Sequence, residues 1–314
     1  MKSRKLVIFA AVLSCALGFS QALRAAGEFK GSWTISTSDE AGKLRFALMH
    51  KREKGSSNHE SDWPATAFEG LDLATRGRHD VKFTITRAAG RITCDGFLDD
   101  GEGAGIFRFT PDSTFVPAMG ALGFTGIDDE KQFAMAMFDV TPEFAKAMNA
   151  EKLAGLDSDK LIAFRIFNVT SQFVRELRAE GLAATDSDKL IAFRIHGVTP
   201  AMAREVRNSG LKASEDQLIA MRIHGATPEW IGEMHEDGYA NLDIDKLIAF
   251  RIHGVTPAFI EGVKKLGFAH PEADQLVAMR IHGVTPEFIS DMKQRGMKNL
   301  TIDQLVNLRI HGID

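Results

Sequence analysis

Two periodicities of apolar and polar residues divide this chain. From about Gly27 to Thr110 the two kinds alternate, as in Ser32-Trp33-Thr34-Ile35-Ser36, Lys43-Leu44-Arg45-Phe46-Ala47-Leu48, Val81-Lys82-Phe83-Thr84-Ile85-Thr86 and Arg91-Ile92-Thr93-Cys94. Ile106-Phe107-Arg108-Phe109 closes the run. A period of two turns every second side chain to one face of a strand. These segments therefore predict a small antiparallel β domain over 27–110, either a meander or a sandwich. Ala89-Gly90 and the stretch Asp99 to Gly105 supply turns, and the insert from Arg52 to Pro64 predicts an exposed loop. From Pro111 to the end the apolar positions recur at helical spacing, which predicts an α-solenoid over 111–314 and an α+β fold overall.

The helical part repeats itself. Aligned on Thr141, Thr170, Thr199, Thr227, Thr256 and Thr285, its core reads Leu-Ile-Ala-Phe-Arg-Ile-His-Gly-Val-Thr-Pro, with intervals of 29, 29, 28, 29 and 29 residues. A period of this size marks units that bury their apolar faces against their neighbours. In the unit at Thr256, the threonine is a helix N-cap, Pro257 suits the first helical position, and Phe259, Ile260 and Val263 form an apolar stripe. Gly267 ends that helix where a left-handed residue is wanted. Gly123, Gly181, Gly210, Gly238 and Gly296 match it, and Lys152 is the exception. The second helix opens at Asp157, Asp186, Ser214, Asp243 or Thr301, with an acid two residues later that suits the positive end of the helix dipole. It stops at Gly197, Gly225, Gly254, Gly283 or Gly312, and at Asp139 and Asn168 in the two early units. Asn168-Val169-Thr170 is thus a cap rather than a glycosylation site. The prediction is six to seven helix-turn-helix repeats, with atypical first and last units.

Two polar positions recur within the second helix. The arginines are Arg165, Arg194, Arg222, Arg251, Arg280 and Arg309; the histidines are His196, His224, His253, His282 and His311. At about 100° per residue, with Leu247 as origin, Ile248 lies at about 100° and Ile252 at about 140°, while Arg251 lies at about 40°, inside the apolar arc. A charge in that place calls for a partner, so the arginines form a structural ladder whose heads meet a helix-end carbonyl or the recurring acid of a neighbouring unit. His253 falls at about 240°, beside Lys246 at about 260°, on the polar side. Two readings stand for this row: dipole capping in the last helical turn, or a ladder facing a ligand. A single row of histidines on helices roughly 8–10 Å apart does not assemble a metal site.

Charge and address narrow the class. Lys2, Arg4 and Lys5 precede an apolar run from Leu6 to Leu17, and Ser20-Gln21-Ala22 offers a cleavage site, so 1–22 reads as an export signal. The alternatives are a retained anchor and lipid attachment at Cys15. Removing 1–22 takes away three bases and moves the formal charge from −4 to about −7, which argues against a nucleic-acid binder. Only Cys94 then remains, so no internal disulfide can form. His50-Lys51-Arg52-Glu53-Lys54 is a basic tip, either a solvated loop or a contact for an anionic surface.

No catalytic constellation is found. His59-Glu60 and His235-Glu236 lack a second histidine at metallopeptidase spacing, and no nucleophile elbow or phosphate loop is present. Gly101-Glu102-Gly103-Ala104-Gly105 is followed by a strand, so it reads as a turn. Cys94, within a strand, reads as a small core residue. Units such as Met279-Arg280-Ile281-His282-Gly283-Val284-Thr285-Pro286-Glu287-Phe288-Ile289 resemble arrays in bacterial exported proteins of unassigned function. They are also similar to repeats appended to some membrane metallopeptidases of the beta-lactam-sensor (BlaR/MecR) type. Asp95-Gly96-Phe97 to Gly105-Ile106-Phe107-Arg108-Phe109 belongs to the same pattern, so the resemblance spans 80–314, and the peptidase motif is absent from this chain. It implies an accessory or interaction module of a Gram-negative-type bacterium. The expectation is a non-catalytic, periplasmic or secreted protein without cofactor, metal, nucleic-acid partner or transmembrane span in the mature chain, which binds a protein or peptide along its repeats. A binder of anionic envelope polymer or lipid, and an accessory or sensor module for a membrane metallopeptidase, are the alternatives.

Overall fold

A computed structural model describes residues 29–52 and 55–313. The export-signal expectation for 1–22, Cys15 included, lies outside them, as do the side chains of Lys51, Arg52, Glu53 and Lys54. Among the described residues two compact units are formed, one of strands and one of helices, and no helix is long and apolar enough to cross a membrane.

The first unit is a six-stranded antiparallel sheet: β1 (Phe29–Thr37), β2 (Lys43–Arg52), β3 (Gly55–Pro64), β4 (His79–Arg87), β5 (Gly90–Asp99) and β6 (Glu102–Pro111), in the order β3-β2-β1-β6-β5-β4. Two three-stranded meanders are thus zipped together where β1 pairs with β6, Trp33 opposite Gly105. The alternating residues all turn inward: Trp33 and Ile35, Leu44, Phe46 and Leu48, Phe83 and Ile85, Ile92 and Cys94, Phe107 and Phe109 are buried. Phe46 on β2 lies 6.1 Å from Phe83 on β4, four strands away in the sheet. A flat sheet would separate them by roughly 19 Å at about 4.8 Å per strand, so the sheet is strongly curled. Glu69, beyond edge strand β3, exchanges both backbone hydrogen bonds with Thr84 on the other edge strand, tying the two edges together.

Two expectations fail here. Residues Gly55–Pro64 form β3 rather than part of a loop. This strand is polar because it lies at the sheet edge and pairs through its backbone along the whole of β2, with Trp63 its buried residue. The glycine stretch is not a turn throughout: the turn is Asp100-Gly101, and Gly103 and Gly105 lie within β6. Glycine is needed there for close approach, since a Cβ on Gly105 would sit 2.1 Å from the Asp95 carbonyl and 2.7 Å from the Trp33 indole nitrogen.

The second unit consists of seven helix pairs: α1 (Phe115–Ala121) with α2 (Asp129–Met137), α3 (Pro142–Ala150) with α4 (Ser158–Ile166), and α5 (Ser171–Ala179) with α6 (Ser187–His196). Then follow α7 (Pro200–Asn208) with α8 (Glu215–His224), α9 (Pro228–Met234) with α10 (Ile244–His253), α11 (Pro257–Lys265) with α12 (Ala273–His282), and α13 (Pro286–Gln294) with α14 (Ile302–Ile310). Each helix is short because its caps are strong. Thr141, Thr170, Thr199, Thr227, Thr256 and Thr285 all accept a hydrogen bond from the backbone N–H three residues on. Gly197, Gly225, Gly254 and Gly283 are left-handed at φ +71°, and Asp139 and Asn168 take the same region at +54° and +55°. The buried residue that follows each cap, such as Val255, closes the turn by donating to the carbonyl five residues back, here Phe250 at 2.8 Å. Helices of nine or ten residues are marginal alone in water, so their order comes from stacking.

Gly254→Val is expected to destabilise the array by more than about 1 kcal/mol, because a β-branched residue must enter the left-handed region. Its Cβ would also stand 2.9 Å from the Arg280 guanidinium. Lys246→Ala removes an exposed ion pair with Asp274 and is expected to cost under about 0.5 kcal/mol. Denaturant melts of the two variants test this; equal losses would contradict the helix end at Gly254.

Candidate binding surface

The second helices α4, α6, α8, α10, α12 and α14 lie side by side, fixed at both ends. At the C-terminal end the arginine ladder does the fixing. Arg222, Arg251 and Arg280 donate their Nε–H to the carbonyls of His196, His224 and His253 in the preceding repeat, each at 3.2 Å, and Arg309 donates to the Gly283 carbonyl at 3.0 Å. The expected choice between carbonyl and acid is thereby resolved in favour of the carbonyl. Arg165 meets both, the Phe138 carbonyl at 2.9 Å and the Asp139 carboxylate at 3.0 Å. The guanidinium also lies over a ring of its own repeat: Arg251 over Trp230 at 5.1 Å, Arg280 over Phe259 at 5.0 Å, and Arg309 over Phe288 at 4.7 Å. A helix C-terminus carries partial negative charge, so an arginine head is well placed there.

Arg194 differs. Its neighbouring cap is Asn168, and its guanidinium lies 3.7 Å over Phe173 with no hydrogen-bond partner for its buried Nε. Burial lowers its pKa below the ordinary arginine value. At the regular junctions the cap has no Cβ, which leaves room: one on Gly225 would stand 2.8 Å from Arg251. The cap glycine therefore serves both its own turn and the next repeat's arginine.

At the N-terminal end the recurring acids are taken by the preceding repeat. Lys131 reaches Asp159 at 3.0 Å and Lys189 reaches Asp216 at 2.9 Å; Lys160 pairs with Asp188 and Lys246 with Asp274. Gln217 takes the same role toward Asp245 at 2.8 Å. A parallel row joins the first helices: Arg178 donates to the Glu151 carbonyl at 2.8 Å, Lys264 to the Asp237 carbonyl at 2.8 Å, and Lys293 to the Leu266 carbonyl at 2.6 Å. Sequence reasoning missed this second row, although a base eight residues after the threonine was a readable signal.

With both edges occupied, what faces outward is the middle of each second helix. Ile166, Ile195, Ile223, Ile252, Ile281 and Ile310 are all about half exposed, from 48% to 55%. The angular reading placed Ile252 in the apolar arc, and that is corrected here. The buried sector is centred on Leu247 and Phe250, and Ile252 points away from it, half exposed among the described residues. Asp245, Ala249, Ile252 and His253 share one face at helical spacing, and the same set recurs in α6, α8 and α12, with Phe167 replacing the histidine in α4 and Asn307 the alanine in α14. His196, His224, His282 and His311 are exposed and His253 is half-buried, and none of these rings hydrogen-bonds another described residue. The six isoleucines thus form a periodic apolar stripe edged by imidazoles on one side and lysine–aspartate pairs toward the other end.

The remaining candidates lie elsewhere. Cys94 is fully buried and burial pushes its thiol well above the ordinary range. Among the described residues, no group of three histidine, cysteine or acidic side chains is arranged to hold a metal. No protein-family model matches this chain, and no curated protein matches it significantly.

Arg251→Ala removes a charge-assisted bond and a ring contact at one junction, and is expected to cost about 2–3 kcal/mol. His253→Ala, which breaks no side-chain bond, should cost under about 0.5 kcal/mol. Thermal melts of both variants check the division between bolt and surface; a larger loss for His253→Ala would overturn it.

Proposed function

We propose that this is a non-catalytic, exported repeat protein that binds a protein or peptide partner along the outward face of its second helices. The observation that supports this reading is the isoleucine stripe. Single exposed apolar residues are ordinary on a protein surface, but one at the same place in six consecutive repeats is a periodic apolar surface, of the kind that marks interaction sites. Equivalent helices in such a stack are spaced roughly 8–10 Å apart, so the stripe offers a row of apolar contacts on the order of 50 Å long. A partner segment lying across the helices would set apolar side chains between isoleucines and polar ones against the imidazoles.

The charge of the face favours this over the anionic polymer. Each second helix presents an aspartate in its first turn, and the lysines beside it are engaged by those aspartates. The arginines, which would otherwise attract a polyanion, have their Nε–H groups on backbone carbonyls at most junctions. Asp159, Asp188, Asp216 and Asp274 are each matched by a lysine of the preceding repeat, so that end of the stripe offers no row of uncompensated cations to a polyanion.

The double variant Ile223→Asp, Ile252→Asp tests the reading. Both positions are half exposed, so the fold and its helical circular dichroism are expected to persist. Capture of a protein component from bacterial envelope extract is expected to fall at least about tenfold relative to the unaltered chain and to survive roughly 0.5 M salt. Equal capture by the variant would remove the stripe as the binding surface, and capture of a polysaccharide or lipid that salt abolishes would favour the polymer reading.

A further inference from the structure

One repeat departs from the rest beneath its arginine. Arg165, Arg194, Arg251, Arg280 and Arg309 each have an aromatic ring of their own repeat within 3.7–5.2 Å. The ring positions are Phe144, Phe173, Trp230, Phe259 and Phe288. In the intervening repeat the same place, three residues after Thr199, is occupied by Met202, and Arg222 has no ring over it. An open slot of about 270 Å³ lies at this point. Its lining includes Met202 and Glu205 of α7, Met221 and Arg222 of α8, and Pro228 and Glu229 of α9. Arg222 is exposed, gives its Nε–H to the His196 carbonyl, and has no carboxylate at ion-pair distance among the described residues.

We propose that this slot is a ring-binding site, which takes an aromatic side chain from the segment bound along the isoleucine stripe. The proposal rests on the binding reading above for the source of the ring, and on the array itself for its chemistry. Against every other arginine of the ladder the chain supplies the ring; here it supplies a slimmer, polarisable thioether and leaves the space open. A closed cavity of about 150 Å³ holds benzene, so by volume alone this open, partly polar slot takes a phenyl or an indole. Methionine sulfur and a guanidinium both make favourable contacts with aromatic rings. Glu205 and Glu229 in the lining disfavour a free anion and suit a basic residue beside the ring. Arg222 and Ile223 are neighbours on α8 but point about 100° apart, so a segment on the stripe reaches the slot by turning its ring around the C-terminal end of that helix.

The test uses the full chain labelled with ¹³C at its methionine methyl groups, and indole as the probe. Titration is expected to give saturable, upfield ring-current shifts at the Met202 and Met221 methyls, assigned by single replacement with leucine. Met202→Phe restores the ring that five other repeats carry, so it should fold with an unchanged or higher Tm and abolish the shift at Met221. Arg222→Gln should weaken the indole Kd about fivefold, through loss of the cation–π contact. Silence at both methyls, or a Met221 response that persists in Met202→Phe, overturns the proposal. The titration needs no partner, so these failures are separate from failure of the stripe. A saturable response that Met202→Phe abolishes establishes the slot even if envelope capture proves independent of Ile223 and Ile252.

Discussion

Stacking identical helix pairs in register forces like ends of helices together, and the structure is organised around that constraint. Each second helix carries partial positive charge at its start and partial negative charge at its end. Parallel neighbours therefore repel at both ends unless opposite charge is placed between them. The arginine ladder supplies it at the C-terminal end, bonded to the last carbonyls of the preceding helix. Aspartates in the first turn supply it at the N-terminal end, and lysines from the preceding repeat hold them there. Cap glycines, rings and lysines all take their places from this arrangement.

It also explains why so little of each second helix is core. Leu247 and Phe250 are fully buried, while Arg251 and Lys246 reach sideways to neighbours. Two edges of the helix are thus used for register and one for the core, which leaves the fourth to solvent. That the fourth carries isoleucine in six consecutive repeats is not required by the fold. It is the feature of the array that packing leaves unexplained, and the reason for placing function there.

The repeats, their caps and both ladder positions were legible in the sequence because each rests on local chemistry. A threonine before proline, an aspartate opening a helix and a glycine closing it impose their conformations within a few residues. What was illegible depends on neighbours. The arc analysis set Arg251 inside the apolar arc and asked for a partner, which the His224 carbonyl supplies, yet it counted Ile252 with the apolar arc although that side chain is half exposed. Strand β3 was read as a loop because an edge strand is held by its backbone and need not alternate. Of the carbonyl and the acid open to Arg251, the carbonyl of His224 is taken, because the first-turn acids lie at the other end of the helices, where lysines of the preceding repeat hold them. Met202 was visible as the one non-aromatic in its column, but its meaning required the space beside it.

Each junction is made from one residue of the later unit and one of the earlier, and every regular unit carries both halves. Arg280 docks on the cap after His253, just as Arg251 docks on the cap after His224. A copied unit inserted between two others would therefore find compatible surfaces on both sides without any further change. Such a gene can lengthen or shorten by recombination between its own near-identical segments, and each product would fold. The reach of the molecule becomes a quantity that evolution can adjust in steps of one repeat.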